Sequence, residues 1–258
     1  MDNKLLALLI AASVALAGCN GESDDLPPGK LSMSNFKKNR SKWESLQVDD
    51  YQMHYRLACF CLDDATSQRL VKVTGNQLDS AVNADTNAAL LGETYETLTI
   101  DELFGRIALE ESRADKLYVE YDATYGYPTK ISVDGNEQMA DDEYTITVSD
   151  VKFANDVTCT TEIQPGLLLT VVDNISQSAI GCGVTVTAEE GSYSETVMNS
   201  ESDCMVEAPI AMLAERPGFY TLTISSDGYQ TLTLDNVGVG ADLCHVITRE
   251  ITIGLTPE

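Results

Sequence analysis

Two cysteines one residue apart, Cys59 and Cys61 around Phe60, carry the sharpest chemical signal in the chain. On a strand, residues i and i+2 share a face with Cβ atoms roughly 6.5–7 Å apart, whereas a disulfide needs about 3.8 Å. A bridge between them therefore requires a bulge or a strand end, and that structural disulfide is the preferred reading. A redox-active dithiol is the sharper alternative, because a strained bridge is more reducible. A metal centre would need further ligands, and only His54 is near, on the opposite face of an ideal strand. Four more cysteines, Cys159, Cys182, Cys204 and Cys244, follow in the C-terminal half, and four allow three connectivities.

Other reactive groups are sparse. His54 and His245 are the only histidines, and neither accompanies a Gly-x-Ser-x-Gly elbow. His245 follows a cysteine on an expected strand and reads as a packing or surface residue. Without a Cys-x-x-Cys pair, zinc catalysis is unsupported. The acids of Asp134-Gly135-Asn136-Glu137 and Asp141-Asp142-Glu143 offer oxygens to a cation. Their glycine is second rather than sixth, which fails the EF-hand pattern, and a hairpin turn at Asp134-Gly135 accounts for the first run. No metal or cofactor is expected, and no catalytic residue is assigned. Tyr121, Asp122, Tyr125 and Tyr127 surround Gly126 and Pro128. They form either an exposed patch able to stack a sugar or peptide, or a set of rings packing a sheet against a helix that carries Trp43. Strand aromatics usually face a core, which favours packing.

The elements that must position these groups alternate. A helix opening at Ser34 carries Phe36, Trp43 and Leu46. Strands are expected at 51–61, 70–75, 116–121, 129–133 and 143–148, with a turn at Gly75-Asn76. Thr99-Ile100-Asp101-Glu102 is a capping box. It opens a helix with Ile100, Leu103, Phe104, Ile107 and Ala108 on one face. Residues 34–156 thus read as an α+β domain, an antiparallel sheet with one or two helices on a face. Residues 157–258 read as an all-β sandwich, with strands at 167–172, 184–188, 193–197, 220–224, 230–234 and 246–253 punctuated by Gly, Asp and Pro.

The first residues specify location. After Lys4, an apolar run from Leu5 to Ala17 is too short for a span, which needs about 20 residues. Residues 1–18 read as a cleaved signal peptide. Leu16-Ala17-Gly18-Cys19 resembles the lipobox of bacterial lipoproteins, which implies acylation of Cys19 and a palmitate-bearing lipid anchor. Asn20 after the cysteine leans toward the outer membrane. Residues 19–33, polar with Pro and Gly, read as a tether. Setting Cys19 aside leaves an even six cysteines, as an oxidising compartment favours. The net charge of −25 works against nucleic acid and anionic lipid as partners. Residues 157–258 hold only Arg216 and Arg249 against 14 acids.

Two family resemblances follow. The tryptophan-bearing helix, the strand ending Cys59-Phe60-Cys61, the Ile100–Phe104 helix and the Tyr125-Gly126-Tyr127-Pro128 turn resemble the DUF6174 family, which implies a fold and no activity. Val171-Val172-Asp173, a Gly-x-x-Val strand and the run from Pro217 to Tyr229 resemble carboxypeptidase-regulatory-like, transthyretin-like sandwiches. Those modules are scaffolds or binding units. That resemblance implies a Cys182–Cys244 bridge and with it Cys159–Cys204. The chain is expected to be a lipid-anchored envelope protein, a non-enzymatic interaction or structural module meeting an envelope protein or glycan. A binding protein for a cation, glycan or peptide is the alternative; a thiol-redox or hydrolytic enzyme is the minority reading.

Overall fold

The computed structural model describes residues 31–61, 63–90, 96–199 and 208–258. The signal segment, Cys19, most of the tether and Cys204 lie outside the described residues. Leu31 to Met33, assigned to the tether from sequence, belong to the fold: Leu31 is buried and Ser32 caps the first helix.

That helix, α1, spans Met33–Glu44, and its N-cap is Ser32 rather than Ser34, with the hydroxyl accepting from the Asn35 amide. Strand β1 (Tyr51–Cys59), the short helix α2 (Asp63–Thr66), β2 (Arg69–Thr74) and β3 (Gln77–Asn83) follow. Gly75 and Asn76 link β2 to β3 with φ of +57° and +59°, the left-handed pair that two-residue hairpins require. Helix α3 (Ile100–Glu110) begins with a complete capping box between Thr99 and Glu102. Then come β4 (Lys116–Tyr121), β5 (Pro128–Asp134) and β6 (Tyr144–Phe153). These strands form one antiparallel sheet in the order β3-β2-β1-β6-β5-β4.

Period-2 alternation sends Tyr51, Met53, Tyr55, Val71, Val73, Ile131 and Ile146 to one face, where they pack with Phe36, Trp43, Leu103, Phe104 and Ile107 from α1 and α3. The Asp134-Gly135 hairpin is a correction. β5 ends at Asp134 and β6 begins only at Tyr144, so the connection is a long loop, and Gly135 does not adopt a positive φ.

The second half holds β7 (Leu167–Asp173), β8 (Thr185–Glu190), β9 (Tyr193–Met198), β10 (Ile210–Met212), β11 (Gly218–Ser225), β12 (Leu232–Val239) and β13 (Arg249–Leu255). They form two sheets, β10-β7-β13 and β12-β11-β8-β9. Every pairing is antiparallel except β7 with β13, which run parallel. Leu167, Leu169, Val171, Ile253 and Leu255 from one sheet meet Val186, Ala188, Tyr220, Leu222 and Ile224 from the other in a second core.

The two halves are in contact through the β12–β13 connection. The Leu243 amide donates to Gln52 Oε1 at 3.2 Å and the Ala241 amide to Ser80 Oγ at 3.2 Å. Ala88 and Ala89, which pair back onto β3, also bridge to Val239 and Gly238. A Cβ at Gly240 would stand 2.0 Å from Val82 Cγ2, so the close approach there requires glycine. One end of the sheet's outer face is thereby covered by the sandwich, and the other end is left open.

Candidate functional site

The tyrosine turn is not an open surface. Tyr127 is buried against Trp43, the Tyr121 ring stacks on Phe104, and Tyr125 meets Phe153 edge-on at 4.9 Å. Asp122 is occupied locally, its Oδ1 accepting the amides of Thr124 and Tyr125. Gly126 has φ +85°, and a Cβ there would press on the Asn39 carbonyl of α1 at 2.6 Å. Burial raises the Tyr121 and Tyr127 phenols. Of the two alternatives weighed from sequence, these contacts are those of the favoured one, packing: the turn lies against α1 and closes the helical side of the sheet.

Cys59 and Cys61 are bonded, with Cα atoms 5.2 Å apart. β1 ends at Cys59, so the chain turns at the strand end and brings the sulfurs within reach. The bridge holds Phe60 outward, 82% exposed. Across the uncovered face, Ala58, Thr145, Ser132 and Tyr118 stand side by side on β1, β6, β5 and β4. These four line an open hollow of about 540 Å³ whose rim carries Lys116, Asp134 and Glu143. Tyr118 is half exposed and donates to Glu120, which raises its phenol. Ser132 and Thr145 share a hydrogen bond at 3.0 Å.

Beside the hollow, the loop after β5 returns Asp142 and Glu143 to Asp134, and ligand oxygens of the three lie within 4.8 Å of one another. Lys116 reaches Asp134 at 3.3 Å and Glu137 at 3.0 Å, and these carboxylates raise its ammonium pKa. One oxygen each of Asp134 and Asp142 is buried without a hydrogen-bond partner. Among the described residues these three are the group that could hold a cation, and their convergence depends on the loop that replaces the expected tight turn. His54 faces Asp150 at 3.9 Å, away from the disulfide.

In the sandwich, Cys159 pairs with Cys244, Cα atoms 5.2 Å apart, in place of both the Cys182–Cys244 and the Cys159–Cys204 pairings expected from resemblance. The reason is topological. β7 and β13 are parallel neighbours, so the segments entering them arrive at the same end of the sheet. Cys182 is itself disulfide-bonded.

The pairing aligns the next residue of each segment. Thr160 Oγ1 lies 3.0 Å from His245 Nε2, and His245 Nδ1 lies 2.9 Å from Glu215 Oε1. Glu215 also accepts the amides of Gln164 at 2.7 Å and Val246 at 3.3 Å. The Gln164 amide first, then His245, hold its carboxyl below the usual range. Asp242 Oδ1 accepts the amides of Cys244 and His245, fixing the turn that presents the imidazole. Sequence reading gave His245 only a packing or surface role and missed Thr160 and Glu215. The recoverable signal was the shared Cys-x step, Cys159-Thr160 and Cys244-His245, visible only with the correct bridge.

A second cavity, about 370 Å³, lies between β3 and the start of β11, lined mainly by Leu78, Ala81, Leu90, Phe219 and Val239. Its polar members are already engaged: Asp79 pairs with Lys72, and Ser80 accepts from Ala241.

Residues 35–153 match the family of unknown function DUF6174. No match to the chain was found among curated proteins.

Proposed function

We propose that this chain is a lipid-anchored protein of the bacterial cell envelope whose six-stranded sheet presents its uncovered face to an envelope protein or glycan. The observation that carries the reading is Phe60, held 82% exposed by the Cys59–Cys61 bridge just past the end of β1, the strand whose Ala58 lines the Tyr118 hollow. A large apolar ring kept in water on a fixed backbone, at the end of a sheet that also exposes Tyr118, is the composition of a contact surface. The far end of the same face is covered by the sandwich, so the open end is what remains for a partner. In this reading the sandwich is a carboxypeptidase-regulatory-like spacer, and residues 19–30 connect it all to acyl chains on Cys19. Each buried CH₂ of those chains contributes about 0.8 kcal/mol, so two or three chains hold the protein durably on a membrane, facing outward.

Two measurements test the proposal. Labelled palmitate should enter the wild-type protein and not the Cys19→Ser variant, which should leave the membrane fraction. The mature ectodomain should capture an envelope component that a Phe60→Ser, Tyr118→Ala double variant does not. Equal capture by both would remove the sheet face from the proposal, and acylation that survives Cys19→Ser would remove the anchor.

A further inference from the structure

We propose that Thr160, His245 and Glu215 form a nucleophilic triad that takes acyl groups from carboxylic esters and passes them to water. This goes beyond the contact-surface reading and does not depend on it.

The argument starts from proton positions. A carboxylate can only accept, so the proton between Glu215 and His245 sits on Nδ1. In the neutral imidazole Nε2 is then a bare acceptor, and the Thr160 hydroxyl must donate to it at 3.0 Å. That is the tautomer and polarity a general base needs to activate a hydroxyl nucleophile. Glu215 is anchored by two backbone amides and His245 by the Asp242 turn. The Cys159–Cys244 bridge joins the two segments one residue before the hydroxyl and the ring. Thr160 itself is exposed, so a substrate can reach it. The amides of Thr161 and Glu162 make no hydrogen bond among the described residues. No walled acyl pocket surrounds Thr160 among the described residues. The open site fits short acyl groups, and Ile163, three residues along the chain, is an exposed apolar side chain.

Thr160 Oγ1 bonds to the ester carbonyl carbon as its proton moves to His245 Nε2. The tetrahedral intermediate breaks its bond to the alcohol, which leaves with that proton. Water, giving a proton to Nε2, attacks the acyl-threonine, and its collapse releases the carboxylic acid and restores Thr160. Thr160 and His245 are the catalytic residues, and Glu215 is a positioning residue.

The test is p-nitrophenyl acetate turnover by the mature full-length protein in detergent, with acid quenching and peptide mapping. The expected result is p-nitrophenolate release and an acetyl group on Thr160. Thr160→Ala and His245→Gln should each lower the rate by about 100-fold or more. Thr160→Ser should keep both activity and adduct, and Glu215→Gln should lower kcat with KM unchanged. Thermal melts confirm that each variant is folded. Hydrolysis by Thr160→Ala at the wild-type rate, an acetyl group mapped to another residue, or no turnover above buffer would overturn the proposal.

Discussion

The two halves of this molecule cover a β-sheet in different ways. The N-terminal sheet lays two helices on one face and fills the gap with rings: Phe36, Trp43, Tyr51, Tyr55, Phe104 and Tyr127 are all buried there. The sandwich closes one sheet on another and needs almost none. Tyr220 is the one aromatic among its described buried core residues, and the rest are aliphatic or methionine. Helices stand farther from a sheet than strands do and leave irregular spaces, which large rings fill and small aliphatic side chains do not. A helix-covered sheet also has a second face to spare, whereas a sandwich turns both inner faces toward each other. The spare face carries the Tyr118 hollow, and β1, which lines one side of it, ends beside the exposed Phe60. In the sandwich, the chemically suggestive groups sit at the end where strands enter.

If ring packing dominates the first half, Trp43→Ala should give the largest loss in the molecule. The indole meets Tyr51 and Tyr127 edge-on and donates to Asp101 at 3.2 Å. Truncation should cost about 3–5 kcal/mol in urea unfolding followed by circular dichroism. A loss under 1 kcal/mol would mean that the rings do not carry the core.

Next comes the sandwich staple. Cys159→Ser with Cys244→Ser should cost about 2–4 kcal/mol, because the bridge closes a loop across 85 residues of sequence separation. Removing the Cys59–Cys61 bridge, separation 2, should cost far less. Equal losses would show that loop entropy does not govern either bridge.

A third contrast lies in acid. Glu215 and Asp173, both in the sandwich, are held below the ordinary carboxylate range, chiefly by backbone amides of Gln164 and Ser176. A carboxyl whose folded pKa is depressed contributes stability that is present above its unfolded pKa and lost as pH falls toward the folded value. Unfolding midpoints measured from pH 7 down to pH 3 should therefore fall less for a Glu215→Gln, Asp173→Asn variant than for the wild type.

The smallest effect is expected at Phe60. Phe60→Ser should change stability by no more than about 0.5 kcal/mol, since the residue is 82% exposed. A clear loss in the unfolding curve would make the ring structural and weaken the contact-surface reading.

The sequence was most readable where a local rule acts alone. The capping box at Thr99, the turn at Gly75-Asn76 and the alternation along Tyr51, Met53 and Tyr55 all appear as expected. β3 and β10 went unseen. Gln77–Asn83 is a polar-rich edge strand, and Ile210–Met212 is too short to show a period. The Tyr127 ring is buried, which pattern alone left open, because only the tertiary fold places the turn on α1. Both site-level surprises are non-local. The Asp134, Asp142 and Glu143 group needs a loop to return, and the Thr160–His245–Glu215 line needs a parallel strand pair. Sequence spacing is silent about a parallel pair whose strands are the first and last of a sandwich.

That parallel pair has a mechanical consequence. Tension applied between the N-terminal sheet and the last strand enters the sandwich through Cys159. The covalent bridge hands the load straight to Cys244 and on into β13. The backbone from Thr160 to Leu243, with six of the seven sandwich strands, is then out of the line of force. Whatever pulls along this axis stretches a short covalent path while that backbone hangs beside it unloaded, and chemical reduction of one bond would transfer the strain to the whole sandwich.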